Sequence, residues 1–146
     1  MITLRHLEGV SKSAGGNNQF YALCGADWPT GSIKYVSVLG MMAHMQNRLA
    51  GCTTVYGSTS GNTGLAAVTV CKTLGLHFHA IVDTRIETEK LESLIEHGAT
   101  VTKVEGDVHT RIRIAAEMAV LDPAGIDLDQ YGNEGALFGH YQITGP

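Results

Sequence analysis

Lys34 is the side chain best placed in this sequence to act as an amine nucleophile. It ends the segment Pro29-Thr30-Gly31-Ser32-Ile33-Lys34, a turn that leads through Ser32 into a helical stretch from Ile33 to about Leu49. Ser32 is a good helix cap. A lysine in the first helical turn sits at the positive end of the macrodipole. A cation is disfavoured there, so the amine tends toward a lowered pKa, as a nucleophile requires. The plain alternative is a solvated surface lysine.

A second segment, Gly57-Ser58-Thr59-Ser60-Gly61-Asn62-Thr63-Gly64, is built for an anion. It follows the β-branched run Thr53-Thr54-Val55-Tyr56 and precedes a helical run to Leu74. A glycine-rich turn between strand and helix offers backbone N–H groups and a positive helix end. The hydroxyls and the Asn62 carboxamide add side-chain donors. The same residues also make an ordinary capped turn.

The elements that must position these segments alternate regularly. Strands are predicted at Thr53–Tyr56, Phe78–Val82, Thr100–Val104 and Ile126–Leu128. Helices are predicted between them at Thr63–Leu74, Glu87–His97 and His109–Leu121. Gly75 and Gly98 stand where helices stop, and Asp122-Pro123 ends the last. This rhythm predicts an α/β fold: a doubly wound parallel sheet of about four strands with helices on both faces. Phe20 to Leu23 suggests a further short strand, and residues 1–19 include a flexible polar segment, Ser11 to Asn18. Met41, Met42 and Met45 read as core or interface packing, and they are the expected contact surface for association.

Other chemistries find less support. The Gly57–Gly64 turn does not satisfy the dinucleotide fingerprint, and Gly25 to Lys34 fails the P-loop pattern. His77 and His79 share a strand face, but no third ligand is evident. No metal is expected, and solvent or backbone partners at a strand edge are. Asp83 reads as the start of the turn Asp83-Thr84-Arg85, and Arg111 with Arg113 as a solvated helix face. No serine-hydrolase elbow surrounds Ser60.

Composition sets further bounds. A 44% hydrophobic content can build a core, and a net charge of −4 argues against nucleic-acid or membrane-surface partners. Three widely spaced cysteines argue for reduced thiols and a cytoplasmic protein. The first residues lack the apolar core of a secretory signal, and no apolar run suggests a membrane span.

Taken together, Pro29 to Lys34, Thr59 to Gly64, and the pair Asp129-Gln130-Tyr131 and His140-Tyr141-Gln142-Ile143-Thr144-Gly145-Pro146 resemble the cysteine synthase and tryptophan synthase β-like (fold-type II) family of pyridoxal-phosphate (PLP) enzymes. The resemblance runs from about Asp27 to Pro146 and covers an N-terminal half of such an enzyme. It implies that Lys34 binds the cofactor as a Schiff base and later removes the substrate α-proton. Asn62 matches the residue that contacts the pyridine oxygen. Thr59, Ser60, Gly61, Asn62 and Thr63, with Gln130, match the segment around the substrate carboxylate. The implied reaction is β-replacement or β-elimination on an O-activated serine, with a small amino acid as substrate and a homo-oligomer as assembly.

The resemblance also implies an organisation. Residues 1–34 lead to the lysine motif, 35–130 form a small α/β domain, and 131–146 return toward a large domain. The family's phosphate-binding loop and pyridine-nitrogen partner lie downstream of its Thr-Gly-Pro. This chain alone is therefore expected to hold PLP weakly or not at all. Tyr35-Val36 stands where the family usually has Asp-Arg. The alternative is thus a non-catalytic binding or regulatory module, and a third reading is an unrelated anion-binding α/β protein.

Overall fold

The computed structural model describes residues 3–145; Met1, Ile2 and the Pro146 of the final motif lie outside the described residues. Four parallel strands form the central sheet: β3 (Thr54–Ser58), β4 (His77–Asp83), β5 (Thr100–Val104) and β6 (Gly125–Asp127), in the order β5-β4-β3-β6. Before them, β1 (Thr3–His6) pairs antiparallel with β2 (Tyr21–Cys24) in a separate ribbon around α1 (Glu8–Ala14). The remaining helices are α2 (Lys34–His44), α3 (Asn62–Thr73), α4 (Thr88–Glu96), α5 (Val108–Leu121) and α6 (Gly135–Ile143).

Period-2 alternation decides which side chains face which layer. Val55, Phe78, Ala80, Val82 and Ile126 pack with α2, α3 and α4. Tyr56 and Ile81 point the other way, onto Ala115 and Ala119 of α5. The sheet is doubly wound, as the strand rhythm predicts. Its order reverses between β3 and β6, because β4 and β5 extend to one side of β3 and β6 to the other. Crevices for ligands form at such a switch point, beyond the carboxyl ends of the strands.

Several expectations need correction. Ser11 to Ala14 of the segment expected to be flexible lie in α1, where buried Ser11 ties the ribbon together. Its Oγ accepts from the Phe20 N–H at 2.9 Å and bonds His6 Nε2 at 3.2 Å. These partners lie five and nine residues from Ser11, at no helical or strand spacing, and leave no periodic pattern. The first long helix ends at His44, and a 3-10 turn at Gln46–Arg48 follows. Met41, Met42 and Met45 are core residues, exposed by 3% or less, and cannot form a contact surface.

Helix α6 was not visible in the residue pattern. Its Gly135 and Gly139 face Gly40 of α2 with the two backbones touching: a Cβ on Gly139 would lie 2.5 Å from the Val36 carbonyl oxygen. His140 Nε2 bonds Ser37 Oγ across the same contact at 2.8 Å. Small residues permit this approach and large ones forbid it.

Candidate functional site

The turn after β3 is held from within. Thr59 is buried, and its Oγ1 accepts the N–H groups of Gly64 at 2.8 Å and Gly61 at 3.3 Å. Gly64 must be glycine, because a Cβ there would lie 2.6 Å from Thr59 Cγ2 and 2.9 Å from Leu94 Cδ2. Gly61 adopts φ +156°, open in practice only to glycine. Among the described residues the N–H groups of Ser60, Asn62 and Thr63 find no acceptor. They sit at the head of α3, where unpaired N–H groups and the dipole favour an anion. Ser60 and Asn62 are exposed.

Gln130 lies just beyond β6 and donates its Nε2 to the Ser58 carbonyl at 2.6 Å. Gln130 thus reaches the residue that opens the Thr59–Thr63 turn, at the sheet's switch point. Lys34 stands apart from them in the described contacts. It is the first residue of α2, exposed, and its backbone N–H is capped by Ser32 Oγ at 3.2 Å. Helix α2 packs on α3, so the lysine and the turn head neighbouring helices.

The segment before Lys34 is shaped by a tight turn. Gly31 N–H donates to the carbonyl of buried Trp28 at 2.8 Å, with Pro29 next in the turn and Gly31 at φ +61°. The Thr30 hydroxyl inside this turn is buried and has no partner. A buried hydroxyl without a partner costs free energy, so an external group is the natural complement.

The sequence reading missed a charged cluster beside the turn. Arg111 is not on a solvated face: its side chain is 11% exposed and donates to Asp83 Oδ2 at 2.8 Å and the Gly106 carbonyl at 3.0 Å. Arg113 is exposed and pairs with Glu117. The signal was available, since Arg111 precedes Ala115 and Ala119 on the sheet-facing strip of α5. Asp83 opens its turn as expected, accepting the Arg85 N–H at 2.8 Å, and also binds the Arg85 guanidinium. Those bonds hold its carboxyl well below the usual range.

His77 and His79 share a face, but their partners are threonines. His77 Nε2 bonds Thr100 Oγ1 at 2.7 Å and His79 Nε2 bonds Thr102 Oγ1 at 2.8 Å. β4 is an inner strand, so edge or backbone partners were the wrong expectation. Burial, with some help from His77, lowers the His79 pKa.

The sequence and the fold both have relatives among known proteins. Residues 2–146 match the family described as "Pyridoxal-phosphate dependent enzyme", and the chain belongs to that family. It is 31% identical over 128 residues to N-(2-amino-2-carboxyethyl)-L-glutamate synthase of Ralstonia nicotianae, covering 80% of this chain and 37% of that protein. It is 30% identical over 146 residues to cystathionine beta-synthase of Apis mellifera, covering 94% of this chain and 29% of that protein. The crystal structure of O-ureido-L-serine synthase superimposes with a TM-score of 0.85 at 20% identity, covering 98% of this chain and 45% of that one. This chain spans less than half the length of each.

Proposed function

We propose that this chain supplies the lysine-bearing α/β portion of a PLP-dependent enzyme of the cysteine synthase type, a transferase or lyase that replaces or eliminates the β-substituent of an O-activated serine. The observation that carries the reading is the Ser58–Gly64 turn, with its three unfilled N–H groups beside Gln130 at the switch point. The residues present also fit the family's cofactor. Lys34 offers an exposed amine that makes no ion pair among the described residues, and the Thr30 hydroxyl nearby lacks a partner.

Each residue then has a task. Lys34 Nζ would hold the cofactor covalently, and as a free amine it would take the proton from the substrate α-carbon. When bound, PLP draws electron density away from that carbon. The N–H groups of Ser60, Asn62 and Thr63 receive the substrate carboxylate, helped by the positive end of α3. The exposed Asn62 carboxamide would donate to the pyridine oxygen. Thr59 keeps the turn in shape, and Gln130 ties the end of β3 to the segment after β6. Orientation is the protein's main contribution.

The substrate is a small amino acid, and a net charge of −4 gives a nucleic acid no purchase. No helix among the described residues is long and apolar enough to cross a membrane. A reducing compartment, the cytoplasm, suits three free thiols, of which buried Cys71 has its pKa pushed up to about 12.

The test is covalent trapping. The purified chain is mixed with PLP, reduced with borohydride and mapped by peptide mass. The expected label is selective for Lys34 and substoichiometric, because none of the motifs in these residues matches the family's phosphate cradle. Label spread evenly over Lys12, Lys72, Lys90 and Lys103 would instead support a non-catalytic module, the reading that Tyr35-Val36 favours.

A further inference from the structure

A cavity of about 490 Å³ opens beside Ser60, at the carboxyl edge of the sheet. Asp83 at the end of β4, Arg85, Glu87 and Lys90 around the head of α4, and Arg111 from α5 form its walls. Three cations there face two carboxylates. Glu87 is taken by Lys90 at 2.8 Å. Asp83 alone serves two guanidinium groups, Arg85 at 3.0 Å and Arg111 at 2.8 Å. One carboxylate cannot neutralise both. Arg111 Nε is buried and has no acceptor at all. Glu105 acts on Arg85 through its field but is not on the wall.

The cationic wall is continuous with the turn. Lys90 runs over Gly61, its Cδ 3.5 Å from where a Cβ would sit, and Ser60 belongs to both turn and cavity. The volume suits a small organic molecule. We propose that this cavity is a second subsite, which binds the carboxylate of the attacking nucleophile, an amino acid or another carboxylic acid. The proposal rests on the β-replacement reading. In that exchange the nucleophile's N–H or S–H bond breaks and its nitrogen or sulfur bonds the β-carbon. The β-carbon–oxygen bond breaks, and the activating group leaves with the electron pair and a proton. Anchoring the nucleophile's carboxylate on Arg85 and Lys90 would aim its other end at the turn. A nucleophile that carries no carboxylate, such as hydrogen sulfide, would leave this wall unused.

The experiment is a titration of the ¹⁵N-labelled chain followed by NMR. Glutarate serves as the dicarboxylate probe, glutaramide as its uncharged equal, and sodium chloride as the ionic-strength control. The expected result is glutarate-dependent shifts at the amides of Ser60, Arg85, Lys90 and Arg111, with none from glutaramide. Arg111→Gln risks unfolding the chain, so the variant is Arg85→Gln/Lys90→Gln at two exposed side chains. Its glutarate affinity should fall roughly tenfold. Equal shifts from glutaramide or chloride, or an unchanged affinity in the variant, would overturn the proposal. Borohydride mapping on the same samples separates the two readings. Lys34-selective label without glutarate shifts defeats the subsite alone, whereas shifts without that label defeat the cofactor reading and leave a carboxylate site with no nucleophile to place.

Discussion

Thr59 illustrates how a residue matched to a substrate contact first serves the fold. Its hydroxyl oxygen already accepts two N–H groups, and its methyl packs against Gly64. Thr59→Ala should cost about 1–2 kcal/mol, the usual loss for a helix-start acceptor, while Thr59→Ser should keep most of it. Urea midpoints of the two variants check this, and equal midpoints would contradict it. His79 makes a pH prediction. Its folded pKa lies below the ordinary value of about 6.5, so the unfolded chain takes up the proton first as pH falls. Stability should therefore drop from pH 7.5 to pH 5.5, and His79→Gln should flatten that slope. Asp127, whose pKa burial raises, acts with the opposite sign and nearer the carboxylate range, so the two effects separate. Urea titrations across that window supply the readout.

The α2–α6 contact is where single-atom changes should reach furthest among the elements. A Cβ on Gly40 would sit 2.6 Å from the Gly139 Cα, and backbone cannot move aside cheaply. Gly40→Ala should cost about 1–3 kcal/mol or more by overpacking. Gly9→Ala, in α1 with nothing within 4 Å of its Cβ, should gain about 0.5–1 kcal/mol from the stiffer chain. Chemical denaturation of both variants tests the contrast, and a neutral Gly40→Ala would sink it. The same contact marks the limit of reading elements from sequence. The sheet was legible because apolar residues at period 2 and 3.6 record burial locally, and glycines stood at the turns. Helix α6 hid behind Gly135 and Gly139, which read as loop residues until a second backbone is placed against them. Of the β1–β2 ribbon only β2 was legible, as the strand expected at Phe20 to Leu23; β1 and α1 hid because the Ser11 bonds that hold them follow no periodic spacing. The turn of the candidate site was legible, since its glycines and hydroxyls are adjacent in sequence. The Asp83–Arg111 pair joins residues 28 apart and needed the fold.

At the scale of the whole molecule, the outer face of α6 is the feature that asks for a partner. Leu137 is 75% exposed, Phe138 53% and Tyr141 75%, and they fall on one side of the helix, away from the glycine face. Nearby Tyr131 is 65% exposed. A contiguous apolar patch in water favours association, with each square ångström of it worth about 25 cal/mol on burial. The methionines expected to carry this contact lie in the core, so we propose α6 in their place as the surface for the homo-oligomer that the resemblance implies. A second copy presenting the same face would bury these side chains against each other in a self-complementary contact. The protein should scatter light as at least a dimer at high concentration. The double variant Leu137→Lys/Tyr141→Lys places four like charges in that contact and should be monomeric with an unchanged circular dichroism spectrum. A wild-type chain that stays monomeric under those conditions would remove α6 as a self-association surface and leave its apolar face to another polypeptide.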